Sequence, residues 1–354
     1  MNSYQQRTRG GTSALDYCEP NGTLFSLARV WSESGRRCAL ATVIQTSGSS
    51  PCPVGTQLLV DDRGAFEGSV SSGALEERVV AAAANVIALQ QAQLLSFAPV
   101  RDGMSKAGLC CASGVQIFLQ PLSQRKDNAV LVPLQAITNL FPLDTPLVLK
   151  TNIETGATSI LPFEEERPTF GGDAISMPAD SDEGACYFHH LFPAQKLVIV
   201  GAVHIAQYLA QMAQFSGFEA IVIDPRPHHL ASERFSPVTA LYDAPSEILS
   251  KPGFLDETTA LVTLSHNPEL DDPALIAALH ARCFFIGALG SSRSHSYRCD
   301  RLRAQGVSQH ELDRISGPVG LDIGAGSPQE IAISILAEII LNLRGRKRIY
   351  ADAA

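Results

Sequence analysis

A glycine turn and an acidic residue 23 positions later are the residues of this chain most suggestive of ligand chemistry. Gly201 to His204 follows a β-branched run, and Asp224 ends a second such run. An apolar pattern with helical spacing lies between them, so residues 196–227 predict a strand–helix–strand unit of an open parallel sheet. In such units the first turn faces a phosphate, and an acidic residue about 20 positions later holds a ribose. These residues predict a nucleotide or another phosphorylated ligand.

The turn departs from the usual Gly-x-Gly-x-x-Gly pattern, because Val203 and Ala206 stand at its second and third glycine positions. The second glycine lets the backbone approach a pyrophosphate, and a branched side chain obstructs that approach. The stretch therefore indicates the fold more firmly than it indicates a bound dinucleotide. For Asp224, contact with a ribose, capping of a helix and pairing with Arg226 all remain open.

The strand and helix pattern continues to the end of the chain. Further strands are predicted at 238–241, 258–264 and 283–289. Helices are predicted at 273–280 and 308–315, and two more helices are predicted to end at 305 and near 343. Ser327, Pro328 and Glu330 form a capping box with proline at the first helical position. The sequence therefore predicts a doubly wound parallel sheet.

Ligands of such sheets bind at the carboxyl ends of the strands. This rule gathers several loops on one edge, namely 201–204, 224–226, 265–266, 287–293 and 320–327. Arg226 and Arg293 could supply charge-assisted hydrogen bonds to an anionic ligand. His204 and His266 could contact the ligand, or they could brace their own loops.

The first half of the chain has a different pattern. Helices are predicted at 23–34 and 75–91, and strands at 38–44, 57–61, 66–70 and 115–119, with weaker signals at 129–140 and 146–151. Loops of small residues connect several of them, and residues 163–184 form a linker or flap rich in Pro, Gly, Asp and Glu. The expected fold class is α/β: an N-terminal α+β domain followed by a Rossmann-like domain. The expected divisions are a disordered tail at 1–22, domains at 23–125 and 196–345, and a connecting segment at 126–195.

Composition excludes several classes of protein. The net charge of -9 argues against nucleic acid or an anionic membrane as partner, and no apolar run is long enough to span a bilayer. The polar N-terminus does not resemble a signal peptide. No P-loop, metalloprotease helix or Ser-His-Asp order occurs, so hydrolase and NTPase functions are disfavoured.

The eight cysteines are unevenly spaced and include no Cys-x-x-Cys, which disfavours a disulfide framework or a zinc site. We expect a reduced, cytoplasmic protein without metal ligands. Cys52 and the neighbours Cys110 and Cys111 lie in predicted loops. They could handle a ligand or sulfur, or they could simply be buried thiols.

Several motifs together resemble the XdhC/CoxI family of accessory proteins for molybdenum hydroxylases. In the first half they are Ala41-Thr-Val, Gly48-Ser-Ser-Pro, Pro53-Val-Gly55, Gly73-x-Leu75-Glu76, and Cys111 before the strand that ends in Pro121. In the second half they are Gly201-Ala-x-His204, Asp224-Pro-Arg226, Ser265-His266, Gly287-x-x-Gly290-Ser, and Gly317-Pro-Val-Gly320-Leu-Asp322-Ile-Gly324 with Pro328-x-Glu330-Ile-Ala.

The resemblance implies an N-terminal domain followed by a Rossmann-like domain. It implies a chaperone that binds the molybdenum cofactor (molybdopterin or its dinucleotide form), supports its sulfuration and inserts it into a xanthine dehydrogenase-type apo-enzyme. The implied partners are that hydroxylase, a cysteine desulfurase and a second copy in a homodimer. The pterin would contact Cys111, Glu76 and the 49–55 loop, together with His204 and His266, and its phosphate would meet Arg293 or the helix at Ser327.

The cofactor-binding residues expected from the loops and the resemblance are Ser49, Cys52, Gly55, Gly73, Glu76, Cys111, Gly201, His204, Asp224, Arg226, His266, Gly290, Arg293 and Ser327. The sequence departs from the family pattern at Cys52, Ala74, Ala112, Ser113 and Val203, so it resembles a divergent member.

An NAD(P)-dependent oxidoreductase using Gly201 and Asp224 is the alternative function, and Asp224 would favour NAD. A regulatory or scaffolding role without a small ligand is the third hypothesis.

Overall fold

The fold was analysed in a computed structural model, and elements are numbered in chain order. It describes residues 23–46, 52, 54–71, 73, 75–97, 114–123, 132–133, 143, 145–162, 175–176, 185–191, 193–230, 232–235 and 238–351. Most of the chain falls into two compact units, an N-terminal unit at Asn21–Ala194 and a C-terminal unit at Gln195–Asn342. The predicted tail at 1–22, Ser49 and Cys111 lie outside the described residues.

The N-terminal unit begins with helix α1 and a largely antiparallel sheet. Its elements are α1 (Thr23–Glu33), β1 (Cys38–Thr46), β2 (Gln57–Asp61), β3 (Phe66–Gly68), α2 (Glu76–Leu89), β4 (Gln93–Phe97), β5 (Val115–Ser123) and β6 (Val132–Pro133). The strand order is β3-β2-β1-β5-β4, and β6 pairs in parallel with β5. These helices and the strands at β1, β2, β3 and β5 confirm the predicted elements of this segment.

The central strand β1 explains why its sequence is almost continuously apolar. Ala39, Ala41 and Val43 belong to one core cluster with Val79 and Ala83 of α2. The alternate residues Cys38 and Leu40 belong to a second cluster with Phe25 and Ala28 of α1. A strand that is buried on both faces loses the alternating pattern of a surface strand.

A second sheet follows within the same unit. It is built from β7 (Leu147–Asn152), β8 (Thr158–Pro162), β9 (Ile175–Ser176) and β10 (Cys186–Leu191), in the order β8-β7-β10-β9. The sequence predicted β7 but not β8, β9 or β10. These strands are short and irregular in pattern, so their pairing is visible only once the chain is folded.

The C-terminal unit is a parallel sheet with helices between its strands. Its elements are β11 (Gln195–Val200), α3 (His204–Phe215), β12 (Phe218–Ile223), α4 (Ser232–Phe235), β13 (Thr239–Leu241), α5 (Pro245–Leu249), β14 (Thr259–Thr263), α6 (Pro268–His280), β15 (Phe285–Ala288), α7 (Ser292–Ala304), α8 (Gln309–Leu312), β16 (Ile315–Ser316) and α9 (Pro328–Ala351). The order β13-β12-β11-β14-β15-β16 confirms the predicted Rossmann-like sheet.

Helix α6 begins five residues before its predicted start. The Asn267 side chain accepts a hydrogen bond from Glu269 N at 3.1 Å, and Pro268 takes the first helical position. Pro273 lies inside the helix, at the residue where the sequence pattern places its beginning. An asparagine cap followed by proline is the N-terminal signal that identifies the true start.

Candidate functional site

The edge formed by the carboxyl ends of the parallel strands gathers most of the expected site residues. The chain changes sides of the sheet between β11 and β14, the strands whose following loops contain Gly201 and His266. Such a switch point is where open parallel sheets bind ligands. The residues that follow a strand or begin a helix at this edge are Gly201, His204, Asp224, Arg226, His266, Gly290, Arg293 and Ser327.

Gly201 is required for close packing of two loops at the switch point. Its φ angle is +106°, a left-handed conformation that side chains disfavour. A Cβ atom at this position would lie 2.6 Å from Ser265 N and 2.8 Å from Ser265 Cα. The structure gives this glycine a packing contact with the loop after β14, and the phosphate contact that the turn pattern indicates stays a prediction.

The carboxylate of Asp224 is fully buried and binds two neighbouring segments of the edge. Its Oδ1 atom accepts from Arg226 N at 2.9 Å and from Arg226 Nε at 2.8 Å. Its Oδ2 atom accepts from Ala202 N at 2.7 Å and from Arg226 Nη2 at 2.6 Å. Of the open alternatives for Asp224, the described residues display the pair with Arg226.

These contacts control the ionisation of Asp224. Burial by itself would raise the pKa of the carboxyl, but the hydrogen bonds from Arg226 and Ala202 N hold it below its ordinary value. A carboxyl whose pKa is lowered on folding stabilises the protein above its unfolded pKa. That stabilisation is lost as the pH falls through the lower pKa of the folded state.

We expect Asp224→Asn to lower the free energy of unfolding at pH 7 by about 2 kcal/mol, because charge-assisted hydrogen bonds are replaced by neutral ones. The variant should also lose part of the decline in stability that the wild type shows at acid pH. Urea unfolding followed by circular dichroism from acid pH to neutral pH measures both effects. Asp300→Asn is the matched control, since Asp300 and Arg303 form an exposed pair. An equal loss of unfolding free energy in both variants would contradict a larger stabilising role for Asp224 than for the exposed Asp300.

Both candidate histidines of the edge are exposed. His204 is the first residue of α3, and its ring lies 5.1 Å from that of Tyr208. His266 has a φ angle of +58°, which is uncommon for a residue other than glycine. Ser265 braces this strained loop by accepting from Asn267 N at 3.0 Å and donating to Asp271 at 2.6 Å. The His266 side chain lies exposed on this braced loop.

The loop after β15 is held by groups that the sequence did not indicate. Arg298 is 4% exposed and donates to Leu289 O at 2.8 Å, and its Nε atom has no partner among the described residues. Gly290, with φ +146°, lies over the side chain of Ser294. Arg293 is exposed and donates to Tyr297 Oη at 3.3 Å. No apolar or charge pattern in this polar helix distinguishes the buried arginine from its exposed neighbours.

The loop that precedes helix α9 is held in place by a glutamate side chain of that helix. Glu338 accepts from Ser316 Oγ at 2.5 Å and from Gly320 N at 2.6 Å. The predicted capping box is confirmed, because Ser327 Oγ accepts from Glu330 N and Glu330 accepts from Ser327 N. Glu338 was missed, although an acidic residue within an apolar helical run is a signal that could have been noticed.

In the N-terminal unit, Glu76 organises a loop of small residues. Its carboxylate is 6% exposed and accepts from Ser69 Oγ at 2.7 Å, Ser71 Oγ at 2.5 Å and Ser71 N at 3.0 Å. Val70 N and Leu75 N also donate to it, at 3.2 and 3.1 Å. Burial would raise the pKa of Glu76, but the serine and backbone hydrogen bonds hold it well below its ordinary value.

The structure brings Cys52 next to this loop. The buried Sγ atom of Cys52 lies 3.9 Å from Ser69 Oγ, the hydroxyl that donates to Glu76. Gly55, with φ +96°, ends the same segment and donates to Val43 O at 2.8 Å. Gly73, with φ +103°, is exposed at the tip of the Glu76 loop. Cys52, Ser69 and Glu76 therefore form one polar cluster of a thiol, a hydroxyl and a carboxylate.

Two general features of the described residues complete this picture. No group of three or more His, Cys, Asp or Glu side chains within the described ranges is arranged to hold a metal ion. Among the described helices, none combines the length and apolar composition that a membrane span requires. The C-terminal edge presents the exposed guanidinium of Arg293, and the Glu76 loop of the N-terminal unit contains serine hydroxyls close to a thiol.

Two curated proteins are similar to this chain over most of its length. A protein of Escherichia coli strain K12 named molybdenum cofactor insertion chaperone PaoD is 26% identical over 311 residues, covering 86% of this chain and 83% of that protein. A Bacillus subtilis strain 168 protein, named as a probable component of xanthine dehydrogenase, is 26% identical over 342 residues, covering 93% and 99%.

The fold is also found in a crystal structure from Bacillus halodurans described as a xanthine dehydrogenase. The two share 23% identity with a TM-score of 0.73, over 91% of this chain and 96% of that one. The family model for the XdhC Rossmann domain matches residues 197–339, and the model for the XdhC and CoxI family matches residues 31–98. The two matches lie in different units of the chain, and the protein belongs to the XdhC and CoxI family.

Proposed function

We propose that this protein binds the molybdenum cofactor as cargo and delivers it to an apo molybdenum hydroxylase of the xanthine dehydrogenase type. Support comes from a relative named as a molybdenum cofactor insertion chaperone, which is similar over most of both chains. A second relative carries a xanthine dehydrogenase name. The bound cofactor supplies redox chemistry to the hydroxylase that receives it, and the work of this chain is to hold and release it.

The observation that carries the proposal is the polar cluster of Cys52, Ser69 and Glu76. Glu76 binds the Ser69 hydroxyl and the backbone N–H groups of Val70, Ser71 and Leu75, so these positions are fixed before any ligand arrives. A pterin is a flat heterocycle with several donors and acceptors along its edge, and such ligands are recognised by a few fixed polar groups. A loop of serine hydroxyls beside a thiol fits that requirement.

The C-terminal edge offers groups for the phosphate end of the cargo. Arg293 is exposed at the start of α7, whereas the guanidinium of Arg226 is paired with Asp224. Guanidinium groups are well suited to phosphate oxygens because they donate two parallel hydrogen bonds. Within the C-terminal unit we assign phosphate contact to Arg293 and the segment at Ser327, with His204 and His266 on the same edge. Within the N-terminal unit we assign contact with the pterin to the loop that Glu76 holds beside Cys52.

The proposal also includes finer parts of the function. The chain supports sulfuration of its cargo with a cysteine desulfurase, acts in the cytoplasm and works as a homodimer. Its cargo is molybdopterin or the dinucleotide form. A nicotinamide-dependent oxidoreductase gains no support from the edge, because the carboxylate that would hold the ribose is buried against Arg226.

Native mass spectrometry of protein purified without oxygen from its own host tests the cargo. We expect a bound mass equal to molybdopterin or its dinucleotide form, and we expect Glu76→Gln to reduce the loaded fraction at least roughly tenfold. Glu77→Gln is the control, because Glu77 is exposed on the same turn of α2. Wild-type protein without any pterin mass would contradict the proposal.

A further inference from the structure

Arg226 fills the position at which a parallel-sheet edge of this order normally receives a ribose. In dinucleotide-binding sheets, the acidic residue at the end of the second strand accepts hydrogen bonds from the ribose hydroxyls. Asp224 follows β12, the second strand of this unit, and therefore holds that position. We infer that Arg226 is a specificity-determining residue that closes this position, so that the C-terminal unit rejects nicotinamide and adenine dinucleotides.

The carboxylate of Asp224 has no hydrogen-bonding capacity left for a ribose. An ionised carboxylate has about four lone-pair directions for hydrogen bonds. Within the described residues, Arg226 takes three of them and Ala202 N takes the fourth. Asp224 is fully buried, so no oxygen remains open to a ribose. A ribose could bind only by displacing charge-assisted bonds with weaker neutral ones.

The segment that carries Arg226 is also stiff. The arginine lies two residues after Asp224 and is flanked by Pro225 and Pro227. Proline fixes its own φ angle and restricts the residue before it. The folded loop therefore loses little conformational entropy when the guanidinium binds the carboxylate, and this keeps Arg226 in place against a competing ligand.

The turn that would face the pyrophosphate also departs from the usual glycine pattern. Val203 is the residue that precedes α3, with an extended backbone, and its branched side chain stands where the usual pattern has glycine. Gly201 packs against the Ser265 backbone, so the turn is already in contact with the loop after β14. Val203 thus narrows the approach to the pyrophosphate position, while Arg226 takes the carboxylate at the ribose position.

Isothermal titration of the full chain with NADH, NADPH and ADP-ribose tests the inference. We expect wild-type binding weaker than about 1 mM for all three. The double variant Val203→Gly/Arg226→Ala should bind ADP-ribose at least roughly tenfold more tightly, and adding Asp224→Asn should remove the gain. If the double variant fails to fold, Val203→Gly/Arg226→Lys serves instead, since lysine donates from a single atom and cannot form the fork.

Two results would overturn the inference. Micromolar binding of any of the three ligands by the wild type would show that the edge is open, and NADPH binding through Arg226 is one such case. A folded variant that binds ADP-ribose no better than the wild type would show that Arg226 is not the cause of rejection. The inference does not depend on the proposed cargo, because pterin retention is measured separately and either result can fail alone.

Discussion

Glu76→Ala should destabilise the N-terminal unit by about 3 kcal/mol or more, because several buried donors lose a charged acceptor at once. The donors are the Ser69 and Ser71 hydroxyls and the backbone N–H groups of Val70, Ser71 and Leu75. Trp31 is the single tryptophan of the chain and lies in α1. Its fluorescence during urea unfolding therefore reports on this unit.

The pH dependence provides a second measurement of the same group. The folded-state pKa of Glu76 lies well below its ordinary value, so its stabilisation is complete above the unfolded pKa. It declines as the pH falls through the folded-state pKa. We expect the free energy of unfolding of Glu76→Gln, measured by Trp31 fluorescence, to change less with pH in the acid range than that of the wild type. Glu77→Gln should keep the pH dependence of the wild type. Identical profiles for both variants would contradict the assigned role of Glu76.

Gly201→Ala should destabilise the C-terminal unit by about 3 to 4 kcal/mol, because left-handed strain and a backbone clash add together. The new Cβ atom would lie 2.6 Å from Ser265 N, and neither loop can move without disturbing β11 or β14. Gly306→Ala is the matched control. Gly306 also has a positive φ, +91°, but its Cβ would meet nothing within 4 Å. The control should cost only about 1 kcal/mol.

Urea unfolding followed by far-ultraviolet circular dichroism compares the two glycine variants, with Trp31 fluorescence following the N-terminal unit in the same samples. A loss at Gly201 no larger than that at Gly306 would mean that the Ser265 loop yields to the new methyl group. In that case the glycine would serve backbone conformation alone, and the turn could open towards a ligand.

Much of the fold was predictable because its signals are local. The β-branched runs at 196–200 and 218–223 alternate with helical periodicity, and this pattern by itself specifies a parallel sheet. The second sheet of the N-terminal unit was harder to predict, because strands such as Ile175–Ser176 are too short to show an alternation of apolar and polar residues. Their identity depends on pairing partners far away in the chain.

The sheet edge that gathers the candidate residues was predictable, but the contacts of those residues were less so. The rule that ligands bind at the carboxyl ends of parallel strands placed Gly201, Asp224 and His266 on one edge. It could not choose among the partners of Asp224, because a ribose hydroxyl and a guanidinium are both suitable donors. Arg298 was missed for a related reason, since its burial beneath Leu289 comes from helix packing and not from its neighbours in sequence.

The sequence by itself determined the main strands and helices of the C-terminal unit, the helix cap at Ser327, and the loops that share the sheet edge, but not the short elements α4, α5 and β16. Periodicity and capping act over a few residues, so they can be read directly from the chain. Only the tertiary structure decided that Asp224 binds Arg226, that Gly201 packs on Ser265 and that Glu76 holds a serine loop beside Cys52. Hydrogen bonds form only at about 3 Å, and the partner that reaches that distance is set by the packing of the whole unit.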